Sequence, residues 1–178
     1  MAIDRARSLR GAVAGAAAAG VWAVQQPLDR QLFGVPHDDA ELLGKLVTRG
    51  RAWPVVGLAL HLANGAAFGA LYAAVAPALP LPRWARGPAA ALAEHVATWP
   101  GTILTDRLHP AREELPRLAG DPVAFAQSAW RHLVFGIVLG ELERRLNARP
   151  GEPSLPYAFA TSSNGHGDLE RAAGVARG

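Results

Sequence analysis

The sequence predicts an all-α protein: a bundle of four transmembrane helices made of two similar helical hairpins, with short extramembrane helices and a disordered C-terminal tail. Three observations carry that prediction. From Ala52 to Pro82 the chain has no Asp, Glu, Lys or Arg, a run of 31 residues. From Gly11 to Leu28 there is none over 18 residues. The pattern His-x3-Gly-x3-Gly then occurs twice, as His61–Gly65–Gly69 and, 71 residues on, as His132–Gly136–Gly140. A helix needs about 20 apolar residues to cross the hydrocarbon core, so both charge-free runs are candidate spans. Mean hydropathy over the chain is only +0.09, an average lowered by two polar loops and the tail. A soluble bundle would leave the long run without a polar face for water.

Segment one is RGAVAGAAAAGVWAVQQPLDR, ending near Asp29. Its basic opening and first apolar stretch lead to no small-x-small cleavage site placed before a polar mature domain, so it reads as an anchor and not as a cleaved signal. Segment two runs from about Trp53 to Ala76 and is closed by Pro77, Pro80 and Pro82. Segment three, from Gly87 to about Thr105, carries Glu94; segment four, from Pro122 to about Leu142, carries Arg131. Between one and two, Asp38 with Glu41 three residues on predicts a capped surface helix. Between three and four, HPAREELPRLAGDP predicts a similar short helical stretch. The membrane domain is thus 1–149, with repeats at about 8–78 and 86–146. The Gly-, Pro- and Ser-rich residues 150–178 have no apolar period and predict disorder.

There is no cysteine, which excludes disulfides and thiolate metal sites. The isoelectric point is near 10.2, but the net charge is only +3 and the arginines form no stripe. Nucleic acid is therefore not an expected partner. The lipid bilayer is, in a bacterial inner membrane. Eight basic residues flank one side of the spans and seven the other; the short loop with Arg83 and Arg86 is purely basic and favours cytoplasmic N- and C-termini.

The duplication extends to the odd segments: Trp22 precedes Asp29 and Arg30, and Trp99 precedes Asp106 and Arg107, at the same Trp-x6-Asp-Arg spacing. Two copies of one hairpin would pack about an axis along the membrane normal. Glycines suit such packing, because close approach of helices is what holds spans together in lipid. Gly11 with Gly15, Gly65 with Gly69, and Gly136 with Gly140 each make a groove one turn long. His61 and His132 lie on the same stripes, since residues four apart share a helix face. The grooves also offer material for a homo-oligomer.

His95 and His132 are both eleven residues from the outer boundary at Asp106 and Asp121, which is roughly 16 Å deep at about 1.5 Å per residue. Glu94 and Arg131 lie at nearly the same depth, so they are the expected intramembrane ion pair. Around them, His61, Asn64, His95, Thr98 and His132 complete a polar cluster. One reading makes it an interhelical hydrogen-bond network. A second makes it a proton or small-ion path. A third uses His61 and His132 as haem ligands, or the histidines with Glu94 as a metal site. No cofactor or resident metal is assigned. No nucleophile elbow, phosphate-cradling loop or His-Glu-x-x-His motif occurs, so no catalytic residue is assigned and an enzyme is not expected. Outside the spans, His37 and His109 stand beside prolines and acidic residues, a weak motif for an external metal.

The closing WRHLVFGIVLGELERRLNAR, a histidine-led apolar helix with a Glu-x-Glu-Arg-Arg flank, resembles the last span of the YagU-like small bacterial inner-membrane proteins. AAALAEHVATWPGTILTDRLHP resembles that family's third span, with its intramembrane histidine and a proline before the external loop. The likeness covers Gly87 to Arg149 and, more weakly, segment two. It implies a four-span inner-membrane protein with a loose link to acid tolerance, and it implies no active-site residues.

Overall fold

Helix α1 spans Arg5–Phe33. The Asp4 carboxylate caps its start by accepting from the Arg7 N–H, and Gly34 ends it at φ 74°, a left-handed turn that a side chain would resist. Helix α2 (Asp39–Val47) starts on the Asp38 cap read from the sequence, whose carboxylate accepts from the Glu41 N–H at 2.9 Å. Helix α3 (Trp53–Val75) opens with Pro54 in its first turn and runs into a 3-10 turn at Ala76–Ala78. Helix α4 (Arg83–Thr98) stops at a 3-10 turn, Trp99–Gly101, and α5 (Thr102–Leu108) continues beyond it. Helix α6 (Pro122–Leu146) starts on the Asp121 carboxylate, which accepts from Val123 and Ala124. All this is seen in a computed structural model that describes residues 4–148. Among the described residues every regular element is helical. The tail expected to be disordered, 150–178, lies outside them.

Among the described residues two helices are long and apolar enough to cross a membrane, Trp53–Ala78 and Pro122–Leu146. The sequence reading has four. Segment three is not one uninterrupted helix: Pro100 cannot donate to the preceding turn, and the Trp99–Gly101 break leaves α4 with 16 residues. Segment one makes a 29-residue helix, but its charge-free stretch is mostly Ala and Gly, and its last turns carry Gln25, Gln26, Asp29 and Arg30. The stretch 109–121 forms turns instead of the expected short helix.

The long helices lie side by side in the order α3, α1, α6, α4, with α2 laid against α3. Glycine sets both outer contacts. A Cβ on Gly15 would run into the Gly65 carbonyl, and one on Gly69 into the Gly11 carbonyl. In the second pair, a Cβ on Gly87 would strike the Gly136 carbonyl and come within 2.9 Å of the Gly140 Cα. Backbone meets backbone in both places, which is how helices without long apolar knobs gain contact. These grooves are filled within the chain and are not free for a second copy.

Helix α6 faces two neighbours with two adjacent stripes. Gln127, Arg131, Phe135 and Glu143, spaced by four or eight, turn toward α1. Ser128, His132, Gly136 and Gly140, one residue along, turn toward α4. One residue is about 100° of helix, so neighbours in sequence serve different partners. Polar side chains share the interior with a core of alanines, Trp22, Tyr72, Phe135 and Leu139, while many large aliphatics lie outside. Gln26, Asp29, His61, His95, Gln127, Ser128, Arg131 and Glu143 are buried, whereas Val13, Val24, Leu28, Val55, Leu71, Val96 and Ile137 are exposed.

Candidate functional site

Two polar sets emerge, and they differ in kind. The first is centred on Arg131, whose side chain, like that of Asp29, has no exposed surface. Its guanidinium holds Asp29 with two bonds, Nε to Oδ2 at 2.7 Å and Nη2 to Oδ1 at 2.5 Å. It also donates to Asp39 Oδ2 at 2.7 Å and to the His37 carbonyl at 3.0 Å. Gln127 donates to Asp29 at 2.8 Å, and the Trp22 indole N–H donates to Asp39 at 3.0 Å. Arg30 pairs with Asp38 and reaches the His37 carbonyl, and His37 Nε2 faces Asp39 at 3.2 Å. A buried guanidinium saturated by two carboxylates and a carbonyl has no donor pair left for a ligand, so this set is a fastening of α1, the α1–α2 loop and α6.

That geometry corrects the expected Glu94–Arg131 pair. Arg131 sits on the α6 stripe that faces α1, so it meets Asp29 and Asp39. Glu94, on α4, meets the neighbouring stripe and pairs with His132, Oε2 to Nε2 at 2.9 Å. Thr98 also leaves the interhelical set, since its hydroxyl donates back to the Glu94 carbonyl of its own helix at 2.9 Å. Asn64 is exposed and reaches only the cleft described next.

The second set lines a cleft of about 210 Å3 between α3 and α4, floored by α1 and α6 and closed at one end by α2. His61, Asn64, Glu94 and His132 are on its wall, with Trp22, Phe68 and Phe135 around them. The side chain of Glu94 is 35% exposed and that of His132 14%, against none for Arg131. His132 Nδ1 lies 2.7 Å from the Ser128 carbonyl, one turn back on the same helix. A carbonyl only accepts, so Nδ1 must carry a proton. Nε2 then faces Glu94 Oε2 at 2.9 Å, a contact that a proton on the ring or on the carboxyl makes a hydrogen bond.

The His95 ring stacks on His132 at 4.7 Å between centroids, with Ser128 Oγ 3.4 Å from His95 Nδ1. His61 is buried, with Nε2 3.2 Å from the Ala19 carbonyl. Trp22 stands between the two repeat histidines, its centroid 5.3 Å from that of His61 and 4.7 Å from that of His132. A haem bridging His61 and His132 would need that space, so the haem reading loses its site. Among the described residues no group of three His, Cys, Asp or Glu side chains is arranged for a metal ion. His109 is committed as well, Nδ1 accepting from the Ala111 N–H at 3.1 Å and Nε2 lying 3.0 Å from the Leu42 carbonyl.

The two Trp-x6-Asp-Arg copies have different roles. Trp22 and Asp29 belong to the polar interior, and Arg30 closes the adjoining loop. Trp99 packs on His95 and Phe125, Asp106 accepts from the Leu118 and Ala119 N–H groups, and Arg107 is exposed. Sequence reasoning missed Asp39, Gln127, Phe68 and Phe135. The i, i+4 series from Gln127 through Arg131 and Phe135 was the available signal. No family model, curated protein or solved structure matches the chain.

Proposed function

We propose that the chain is a four-span integral protein of the bacterial inner membrane, not an enzyme, in which the Glu94–His132 pair is a proton-holding element open to a solute-sized cleft. In this reading α1, α3, α4 with α5, and α6 are the spans, two related hairpins carry them, and both termini are cytoplasmic. The burial pattern supports the membrane placement, since exposed aliphatics with a buried Arg, Asp and His set suit lipid as the outer solvent. The likeness to YagU-like proteins points the same way. Within the polar interior the Arg131 set is structural glue, as a network reading of the sequence has it, and the cleft set is the functional part.

The observation that carries the proposal is His132, whose two ring nitrogens face a carbonyl and a carboxyl. Such an imidazole retains its second proton while Glu94 is near it, and it loses that proton when the carboxylate is drawn to another cation. Nitrogen-resolved NMR of the histidine rings, in protein purified into nanodiscs, tests this. One ring protonated on both nitrogens, or hydrogen-bonded to a carboxylic acid proton, is expected at neutral pH and is missing from His132→Gln. A His132 ring with a bare Nε2 at neutral pH removes the proposal. Because the chain has no cysteine, single cysteines introduced at Ser8 and Arg112 read the topology by labelling from either side.

A further inference from the structure

We propose that the cleft binds an organic cation, a quaternary or alkyl ammonium group, in exchange for the proton held by Glu94 and His132. This rests on the proton-holding reading above and adds the ligand class and the coupling.

Shape and charge both select a cation. The wall carries two carboxylates, Asp39 and Glu94, and no Lys or Arg. Arg131 is close but turned away, all its contacts being with Asp29, Asp39 and the His37 carbonyl. Counting outward, Asp29, Asp38, Asp39 and Glu94 face only Arg30 and Arg131 as permanent cations, so this part of the interior has a surplus of acid. Beside Leu42, Leu43 and the small residues Ala19 and Gly65, the wall carries three aromatic side chains, Trp22, Phe68 and Phe135, with T-shaped contacts linking Phe135 to both of the others. Ring faces attract a weakly hydrated cation at close range, and an ammonium bearing alkyl groups gains from apolar contact as well. An anion would meet carboxylates and ring faces. A bare metal ion would find no three-ligand set among the described residues.

The exchange follows from how Glu94 is used. Its carboxylate has one partner across the helix interface, the His132 ring. An ammonium entering beside Glu94 takes the place of the imidazolium charge. His132 keeps the Nδ1 proton on the Ser128 carbonyl and releases the Nε2 proton through the open side of the cleft, so one charge enters and one leaves. The groups facing this pair from the packed elements are Trp22 on α1, which does not titrate, Asp39 on α2, His61 on α3, and His95 on α4. Asp39 is tied to Arg131 and His61 to the Ala19 carbonyl, leaving the Glu94–His132 proton as the one a cation displaces.

The test uses the full chain in nanodiscs and tetraethylammonium, a probe that neither carries nor accepts a titrating proton. Calorimetric titration in two buffers of different ionisation heat reads binding and proton release together. The expected result is saturable binding with about one proton released per cation, weakening about tenfold for each pH unit lowered where the pair is protonated. Glu94→Gln should lose at least tenfold in affinity and the released proton, while Glu141→Gln, a remote acid bonded to Arg144 and Arg145, should change neither. No saturable binding, binding without proton release, or equal affinity for octanoate would each overturn the proposal. If Glu94→Gln does not fold, proton release by the unaltered protein still decides it. Histidine NMR separates the two levels: a doubly protonated His132 with no cation binding leaves the proton-holding reading and removes this one.

Discussion

The α1–α3 and α4–α6 contacts are both made through glycine, with different chemistry beside each. Gly15 meets Gly65 in the first, and Gly87 meets Gly136 in the second, 72 and 71 residues on. From those matched glycines, Trp22 and Glu94 occupy the same place, seven residues along α1 and α4. Each stands beside the histidine of its hairpin: Trp22 against the His61 ring, Glu94 against the His132 ring. His61 has a backbone carbonyl and that indole for company; His132 has a carbonyl and a carboxyl, with the same indole and the His95 ring against it. Matched glycine contacts thus stand beside a histidine bonded to a backbone carbonyl in one place and a histidine facing a carboxyl in the other.

The glycine contacts are the most breakable feature. Gly15→Leu and Gly87→Leu should each abolish the folded bundle, because a side chain there meets backbone carbonyls that cannot move aside. Overpacking a well-filled core costs about 1–3 kcal/mol, and a clash with backbone on both helices lies above that range. Gly101, with nothing within 4 Å of its added Cβ, should accept Ala without effect. Thermal melts in detergent, monitored by gel filtration, check all three; equal tolerance at Gly87 and Gly101 would break the likeness between the hairpins.

The next largest effect separates the fastening set from the cleft. Arg131→Met leaves Asp29 buried without its cation and Asp39 short of one partner, and removing one member of a buried pair costs about 3–5 kcal/mol. Glu94→Gln keeps its shape and a hydrogen bond in a half-open cleft, so a loss of under about 1.5 kcal/mol is expected. Chemical denaturation of the two variants measures the difference. Similar losses would mean that the cleft pair is fastening too.

These contrasts also mark how far the sequence could be read. The glycine grooves were legible because a four-residue period in an apolar run has few other uses in lipid. The polar content of the interior was legible for the same reason. Partner choice was not. Arg131 and His132 are adjacent, and depth alone pairs either with Glu94; only the angular position of each, set by where α1 and α4 sit against α6, assigns Arg131 to Asp29. The repeat was traced through Trp22 and Trp99, whereas the glycine contacts match Trp22 with Glu94. The 3-10 break at Trp99–Gly101 changes the helical phase beyond it, so similar residues after the break do not fall on similar faces.

Acid should act first on the fastening side. Burial works to raise the Asp39 carboxyl, but the facing His37 and Arg131 outweigh it and hold that carboxyl far below the usual range. Asp38 is likewise lowered: burial opposes the Glu41 N–H, Gln26 and Arg30, and is outweighed by them. A carboxyl that binds its proton less tightly when folded contributes its full stability above the ordinary value of 3.8 and loses it as the pH falls from there toward the folded value. Stability should therefore be level near neutrality and drop between about pH 5 and pH 2. Asp39→Asn should flatten that drop. An unchanged slope in acid melts would assign the drop to other carboxyls.

The smallest effect is the most informative about the two histidines. His61 makes one bond, at 3.2 Å, to the Ala19 carbonyl. Glutamine carries an N–H that can reach the same carbonyl, so His61→Gln should cost no more than about 1 kcal/mol, the net worth of one ordinary hydrogen bond. It should also leave the ring signal of His132 and the protons released from the cleft unchanged. His132→Gln should be almost as well folded, because glutamine also spans from the Ser128 carbonyl toward Glu94, yet it removes the protonated ring altogether. Matched stabilities with unmatched proton chemistry are what diverged copies of one hairpin would give. A His61→Gln variant that changed the proton count would instead make the two histidines members of one relay through Trp22, and the cleft a shared site of both hairpins.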